Sequence, residues 1–211
     1  MGGILNLLMQ SLRATVVLAF LTGIIFPLMI CGVGQVLFPK ESKGSLITAG
    51  NGIVLGSALI AQRFSKPEYF HPRPSAAGSG YAGEASGGTN LGPTSKKLFA
   101  GQPDDPKTPA DESFAGVKQL ADSYRKENLL SDGDLVPVDA VTRSGSGLDP
   151  DVSVHNANLQ AKRVAEARHM PLQLILDEVK RATEPPQFGF LGEPRVNVLR
   201  LNQMLDQSGK Q

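Results

Sequence analysis

The sequence has no tryptophan, one cysteine and three histidines. With Cys31 as the only thiol, no disulfide can form within the chain, and cysteine usage leaves the redox compartment open. His71, His155 and His169 stand apart, none beside a cysteine and none in a paired or H-E-x-x-H spacing, so the pattern of a metal site is missing. No serine sits in G-x-S-x-G, which argues against a common hydrolase signature. Lys and Arg number 21 against 20 Asp and Glu, a net charge of +1, so no basic excess points to nucleic acid. Two glycine patterns lack their context. Gly78, Gly80 and Gly83 spell G-x-G-x-x-G, but H-P-R-P-S-A-A precedes them instead of a strand. Gly87 to Gly92 has P-loop spacing, yet Pro93 stands where the phosphate-binding lysine belongs and brings neither charge nor an N–H.

Charge is also missing between Arg13 and Lys40, and here the absence points to something. The uncharged run from Ala14 to Pro39 is about 26 residues long. As a helix at ~1.5 Å per residue it spans roughly 39 Å, more than the ~30 Å hydrocarbon core of a bilayer. A signal-peptide core is shorter, about 7 to 15 residues, and no A-x-A site follows. Ile30 is too bulky for a lipoprotein cleavage box. The reading is an uncleaved anchor: a short segment over 1–12, a transmembrane helix over 13–39 and a soluble domain over 40–211. Gly23, Pro27, Gly32 and Gly34 are tolerated in such helices and let a neighbouring helix approach closely, with Pro27 a candidate kink. Residues 3–13 read as an interfacial turn or an extension of the helix. Arg13 at one end and Lys40 and Lys43 at the other nearly tie, so flanking charge does not choose the orientation.

Past the anchor the text turns polar, with much of its Gly and Pro in residues 65–94. Residues 45–64 read as strand–turn–strand or strand–turn–helix. The loop over 65–94 is too long for a tight turn, and Tyr69, Phe70 and Tyr81 argue that it is packed in place. Thr94 or Ser95 caps a short helix. Residues 109–130 predict a helix with Phe114, Val117, Leu120, Ala121 and Tyr124 on one face. V-P-V-D-A-V-T over 136–142 reads as a short strand. The glycine-flanked Ser144 and Ser146 read as a turn leading into a helix that begins near Asp149, and backbone N–H groups at such a turn can also bind an anion. Val154, Ala157, Ala161, Val164 and Ala165 share a helix face that stops before Pro171; Leu172, Ile175, Leu176 and Val179 mark the next helix. Residues 194–205 close as a strand followed by a short helix. The fold class is a single transmembrane α-helix followed by a small α/β or α+β soluble domain.

Blocks of this sequence, in order behind the anchor, resemble the KdpC family, the single-span subunits of the bacterial potassium-transporting P-type ATPase. They are G-S-A-L-I-A-Q-R-F, Y-F-H-P-R-P-S-A, S-G-G-T-N-L-G-P, V-P-V-D-A-V-T-R-S-G-S-G-L-D-P-D-V-S, Q-A-K-R-V-A-E-A-R and G-E-P-R-V-N-V-L-R-L-N. Ala61, Pro72 and Thr89 depart from the family pattern without touching a charge. The resemblance implies a non-catalytic accessory subunit, with no catalytic residues in this chain, in the bacterial inner membrane. Its implied partners are a channel-like potassium-binding subunit, a P-type ATPase subunit, a small peptide subunit and membrane lipid. It implies no tightly bound cofactor; potassium is the cargo of the complex. Tyr69, Phe70, Arg73, Pro74 and Asn90 are expected in a partner-facing or structural loop. An alternative is a catalytic chaperone that binds ATP and raises the pump subunit's ATP affinity, with contacts expected at Ser144, Gly145, Ser146, Gly147 and Gln160. The family's architecture instead places the domain on the extracytoplasmic face, over the potassium entrance and away from cytoplasmic ATP.

Overall fold

The computed structural model describes residues 2–50, 52–102 and 114–209. The chain divides into two compact units, Met1–Leu46 and Ile47–Gln211.

The first unit is built on one helix, Gly2–Leu37. It comprises α1 (Gly2–Phe20), a π-helical turn (Leu21–Ile25) and α2 (Phe26–Leu37). The residues ahead of Arg13 are therefore helical. Pro27 accounts for the wide turn. It has no N–H for the Gly23 carbonyl and its ring crowds that carbonyl, so the backbone takes up an extra residue there. The Phe26 N–H reaches back five residues to the Leu21 carbonyl. No side chain of this helix is buried, and apolar ones stand well out, Leu28 at 66% and Val36 at 78% exposed. Gly2–Leu37, with a mean hydropathy of 2.6 over its most apolar window, is long and apolar enough to cross a membrane. Such a surface is stable only against lipid or another apolar helix. A tight turn, Glu41–Lys43, follows and ends at Gly44.

Among the described residues two small sheets follow, the first beginning at the boundary between the units. β1 (Leu46–Thr48) pairs with β2 (Val54–Ser57), so residues 45–64 fold as strand–turn–strand. The larger sheet has the order β3 (Asp151–Ser153), β5 (Arg195–Asn197), β4 (Thr183–Glu184). All its pairings are antiparallel, with Val152 and Thr183 both opposite Val196. Against it lie α6 (Val154–Arg168), α7 (Leu172–Ala182) and α8 (Val198–Ser208). Ahead of them come α3 (Lys96–Ala100), α4 (Val117–Glu127) and α5 (Val138–Val141).

Two strands run into helices without a loop. Ser153 ends β3 and caps α6 by accepting from the Asn156 N–H; Asn197 ends β5 and caps α8 by accepting from the Arg200 N–H. Ala157, Ala161 and Ala165 on α6 are small enough for α7 to approach, and Ile175, Val179, Val196, Leu201 and Leu205 fill the space around them. A satellite cluster forms where Tyr124 of α4 meets Ala140 and Val141 of α5.

Three sequence expectations are corrected. Residues 136–142 do not form a strand. Pro137 presets the N-terminal dihedral of a single helical turn, α5, which Thr142 closes by donating to the Val138 carbonyl. The turn at Ser144–Ser146 does not lead directly into a helix at Asp149, because β3 intervenes and α6 starts at Val154. The helix expected over 109–130 begins at Val117; its residues 109–113 lie outside the described residues. Phe114 precedes the helix and bridges to Gln102.

Candidate functional site

The segment Tyr69–Ala76 enters the core at Phe70 and pairs with no strand among the described residues. Its backbone polar groups still need partners. Side-chain amides supply them. Asn202 of α8 accepts from the Phe70 N–H at 2.8 Å and donates to the Phe70 carbonyl at 3.0 Å. Gln160 of α6 does the same for His71, at 2.7 and 3.0 Å. Each amide imitates the facing edge of a β-strand. Pro72 and Pro74 bring no N–H, so the stretch asks for fewer partners than its length suggests. Phe70 is fully buried, and burial of that size stabilises by roughly 1.5–3 kcal/mol.

Arginines brace the same segment. Arg163 of α6 donates to the carbonyls of Pro67 at 2.6 Å and Tyr69 at 2.9 Å, and to Asn128 and Gln160. Burial lowers its pKa and nearby Glu127 opposes that, yet the guanidinium stays charged and its donors are used. Arg168 donates to the Glu68 carbonyl and to Asp206, and its guanidinium lies 5.1 Å from the Tyr69 ring centroid. Arg73 pairs with Asp149 at 2.8 Å. His71 Nδ1 lies 2.6 Å from Glu127, and its Nε2 lies 3.0 Å from the Lys66 carbonyl. The hydrogen bond from His71 is the largest cause holding the Glu127 carboxyl below its usual range. Tyr124, pushed far up by burial, donates to Asn156.

The glycine-rich turns close around this segment. Ser75 Oγ donates to the Gly147 carbonyl at 2.6 Å and accepts from the N–H groups of Ala77 and Tyr81. Ser146 accepts through its carbonyl from the Gly87 N–H and from Ser86. Gly147 has φ +68, and a Cβ there would meet the Gly87 carbonyl at 2.5 Å and the Ala77 nitrogen at 2.7 Å. Only glycine fits that crossing.

The sequence-selected residues therefore fall in four places. Tyr69, Phe70, Arg73 and Pro74 belong to the braced segment, while Asn90 is exposed on its own loop at φ +54. Ser144, Gly145, Ser146 and Gly147 form one turn against residues 75–77 and 86–88. Gln160 is buried against the braced segment, with its oxygen and its nitrogen each serving two protein partners; no hydrogen bond joins it to that turn among the described residues. Gly23, Pro27, Gly32 and Gly34 lie on the exposed helix, where a Cβ added at any of the three glycines meets nothing within 4 Å.

Sequence reasoning missed the residues that position the segment: Asn128, Asn156, Arg163 and Asn202, all buried. It also missed Asp139. That carboxylate accepts from the Ser153 N–H and hydroxyl and from Asn156, tying α5 to the start of α6. No group of three or more His, Cys, Asp or Glu side chains is placed to hold a metal among the described residues.

The family model described as "KdpC: K+-transporting ATPase, c chain" matches residues 8–207. The chain is 47% identical over 199 residues to the potassium-transporting ATPase KdpC subunit of Mycobacterium tuberculosis H37Rv, covering 94% of this chain and 97% of the relative. The protein of the same name from Myxococcus xanthus is 48% identical over 198 residues, covering 94% and 86%. That from Caulobacter sp. K31 is 44% identical over 203 residues, covering 94% of each.

Proposed function

Because the chain belongs to the KdpC family of potassium-transporting ATPase subunits, we propose that it is a non-catalytic accessory subunit required for assembly or activity of an ATP-driven potassium import complex. The observation that carries this reading is the fully exposed apolar helix Gly2–Leu37, joined in one chain to a small polar unit. The helix needs lipid and partner helices to cover it. Its glycines at 23, 32 and 34 offer open backbone for such a partner. In this reading the partners are the channel-like potassium-binding subunit, the P-type ATPase subunit and the small peptide subunit. The membrane is the bacterial inner membrane. The second unit stands on the extracytoplasmic face, near the potassium entrance.

The reading in which this chain contacts ATP draws less support from the geometry. Gln160 is saturated by protein partners and Gly147 is walled in by backbone, so neither has a face to offer a nucleotide. The test is complementation. In cells lacking their own copy, the full chain restores uptake at low external potassium, and a chain ending after Leu46 does not. Full uptake with the truncated chain contradicts a required role for the second unit.

A further inference from the structure

The second unit contains a cleft of about 700 Å³ that the proposed function leaves unused. Arg63, Lys97 and Arg143 line it, and no carboxylate does among the described residues. Two rings gather these charges. The Arg143 guanidinium sits 4.1 Å from the Phe114 ring centroid and Lys97 Nζ 5.8 Å from the same centroid. The two cations therefore lie no farther apart than the sum of those distances. Arg63 stands 5.8 Å from the Tyr81 ring centroid, and Tyr81 also senses Arg143 electrostatically.

The rest of the unit makes the cluster conspicuous. Arg73, Arg125, Arg163, Arg168, Arg181, Arg195 and Arg200 each meet a carboxylate. Arg63 and Arg143 are the two arginines of the unit that do not among the described residues, and both line this cleft. Arg143 is half-buried, so solvent screens it incompletely, and burial disfavours its charged form. Like charges gathered in partial enclosure repel, and an anion between them relieves that cost. Guanidinium forks match phosphate oxygens, while Lys97 adds a point charge. Ser79 and Thr89 bring hydroxyls to the wall. The cleft is far larger than one phosphate ion and leaves room for an ester substituent.

We propose that this cleft binds a phosphate group, as free phosphate or as the headgroup of an anionic phospholipid. The cleft shares none of its lining with Ser144–Gly147 or Gln160, so the proposal is separate from the ATP reading.

The test uses the full chain in phosphatidylcholine nanodiscs, titrated calorimetrically with inorganic phosphate. The expected result is saturable binding with a Kd of about 1 mM or tighter, weakened about tenfold by Lys97→Gln or Arg63→Gln. Neither side chain is in the core, and circular dichroism checks that both variants fold. Lys118→Gln, exposed on α4, leaves the affinity unchanged. In phosphatidylglycerol nanodiscs, weaker phosphate binding identifies the headgroup as occupant, and equal binding identifies free phosphate. Absence of saturable phosphate binding in both discs overturns the proposal. So does equal affinity in the cleft variants, or a response to MgATP alone.

Discussion

At the scale of single residues, the soluble unit is organised by polar side chains that sit where apolar ones are usual. Asn202 and Gln160 do for Phe70 and His71 what a neighbouring strand does elsewhere. Replacing Asn202 with Leu keeps the volume roughly constant but strands one buried N–H and one buried carbonyl. Each unmet group costs about 1–3 kcal/mol, so Asn202→Leu is expected to destabilise by about 2–6 kcal/mol, read as a lower denaturant midpoint of the full chain. Gln203→Leu, which removes only an exposed bond to the Thr48 carbonyl, is expected to shift the midpoint far less. A similar shift in both would contradict the strand-imitating role.

Glu127 adds a pH dependence whose sign is fixed by its partners. The hydrogen bond from His71, and after it the charges of His71 and Arg163, lower its carboxyl despite an opposing effect of burial. A carboxyl that titrates lower in the folded chain than in the unfolded one stabilises the fold above the ordinary glutamate value of about 4.3. That contribution disappears as pH falls through the folded-state value. Glu127→Gln is therefore expected to lower the unfolding midpoint at neutral pH and to converge on the wild type below the ordinary glutamate range. A gap that persists in acid would assign the effect to packing instead.

At the scale of elements, legibility follows how local the cause is. The helices at 154–168 and 172–182 are plain in the sequence because their apolar period and the Pro171 stop are local signals. Residues 136–142 mislead because V-P-V-D-A-V alternates like a strand. Their helical turn is held by Asp139 reaching α6, a contact remote in sequence. β3 and β4 are three and two residues long, too short to carry any period, and exist only through pairing with β5. Gln160, expected from sequence as an ATP contact, and Arg163 instead hold the segment at 67–71, partners remote in sequence. The anchor is legible for the opposite reason, since absence of charge over a membrane's thickness is a property of the stretch alone. Gly32 and Gly34 extend that reading. Adding side chains there meets nothing in this chain. Gly32→Leu with Gly34→Leu is therefore expected to leave the purified subunit's thermal stability unchanged while reducing its co-purification with partner subunits several-fold. Unimpaired co-purification would move the partner contact to another face of the helix.

At the scale of the whole molecule, the chain joins an apolar helix with no interior of its own to a small unit stiffened by arginines and amides. Family membership spans both parts, since the matched region covers residues 8–207. In the proposed function, the side of the membrane where the second unit stands decides whether it reaches the potassium entrance or the ATP-hydrolysing machinery. Asp132 is exposed and has no ion pair among the described residues, so a cysteine there disturbs little. The most direct measurement is Asp132→Cys in a Cys31→Ser background, treated in intact cells with a membrane-impermeant thiol reagent. Labelling without lysis is the predicted result and places the second unit outside the cytoplasm, out of reach of ATP. Labelling only after lysis would contradict the account and put the unit beside the ATPase domains.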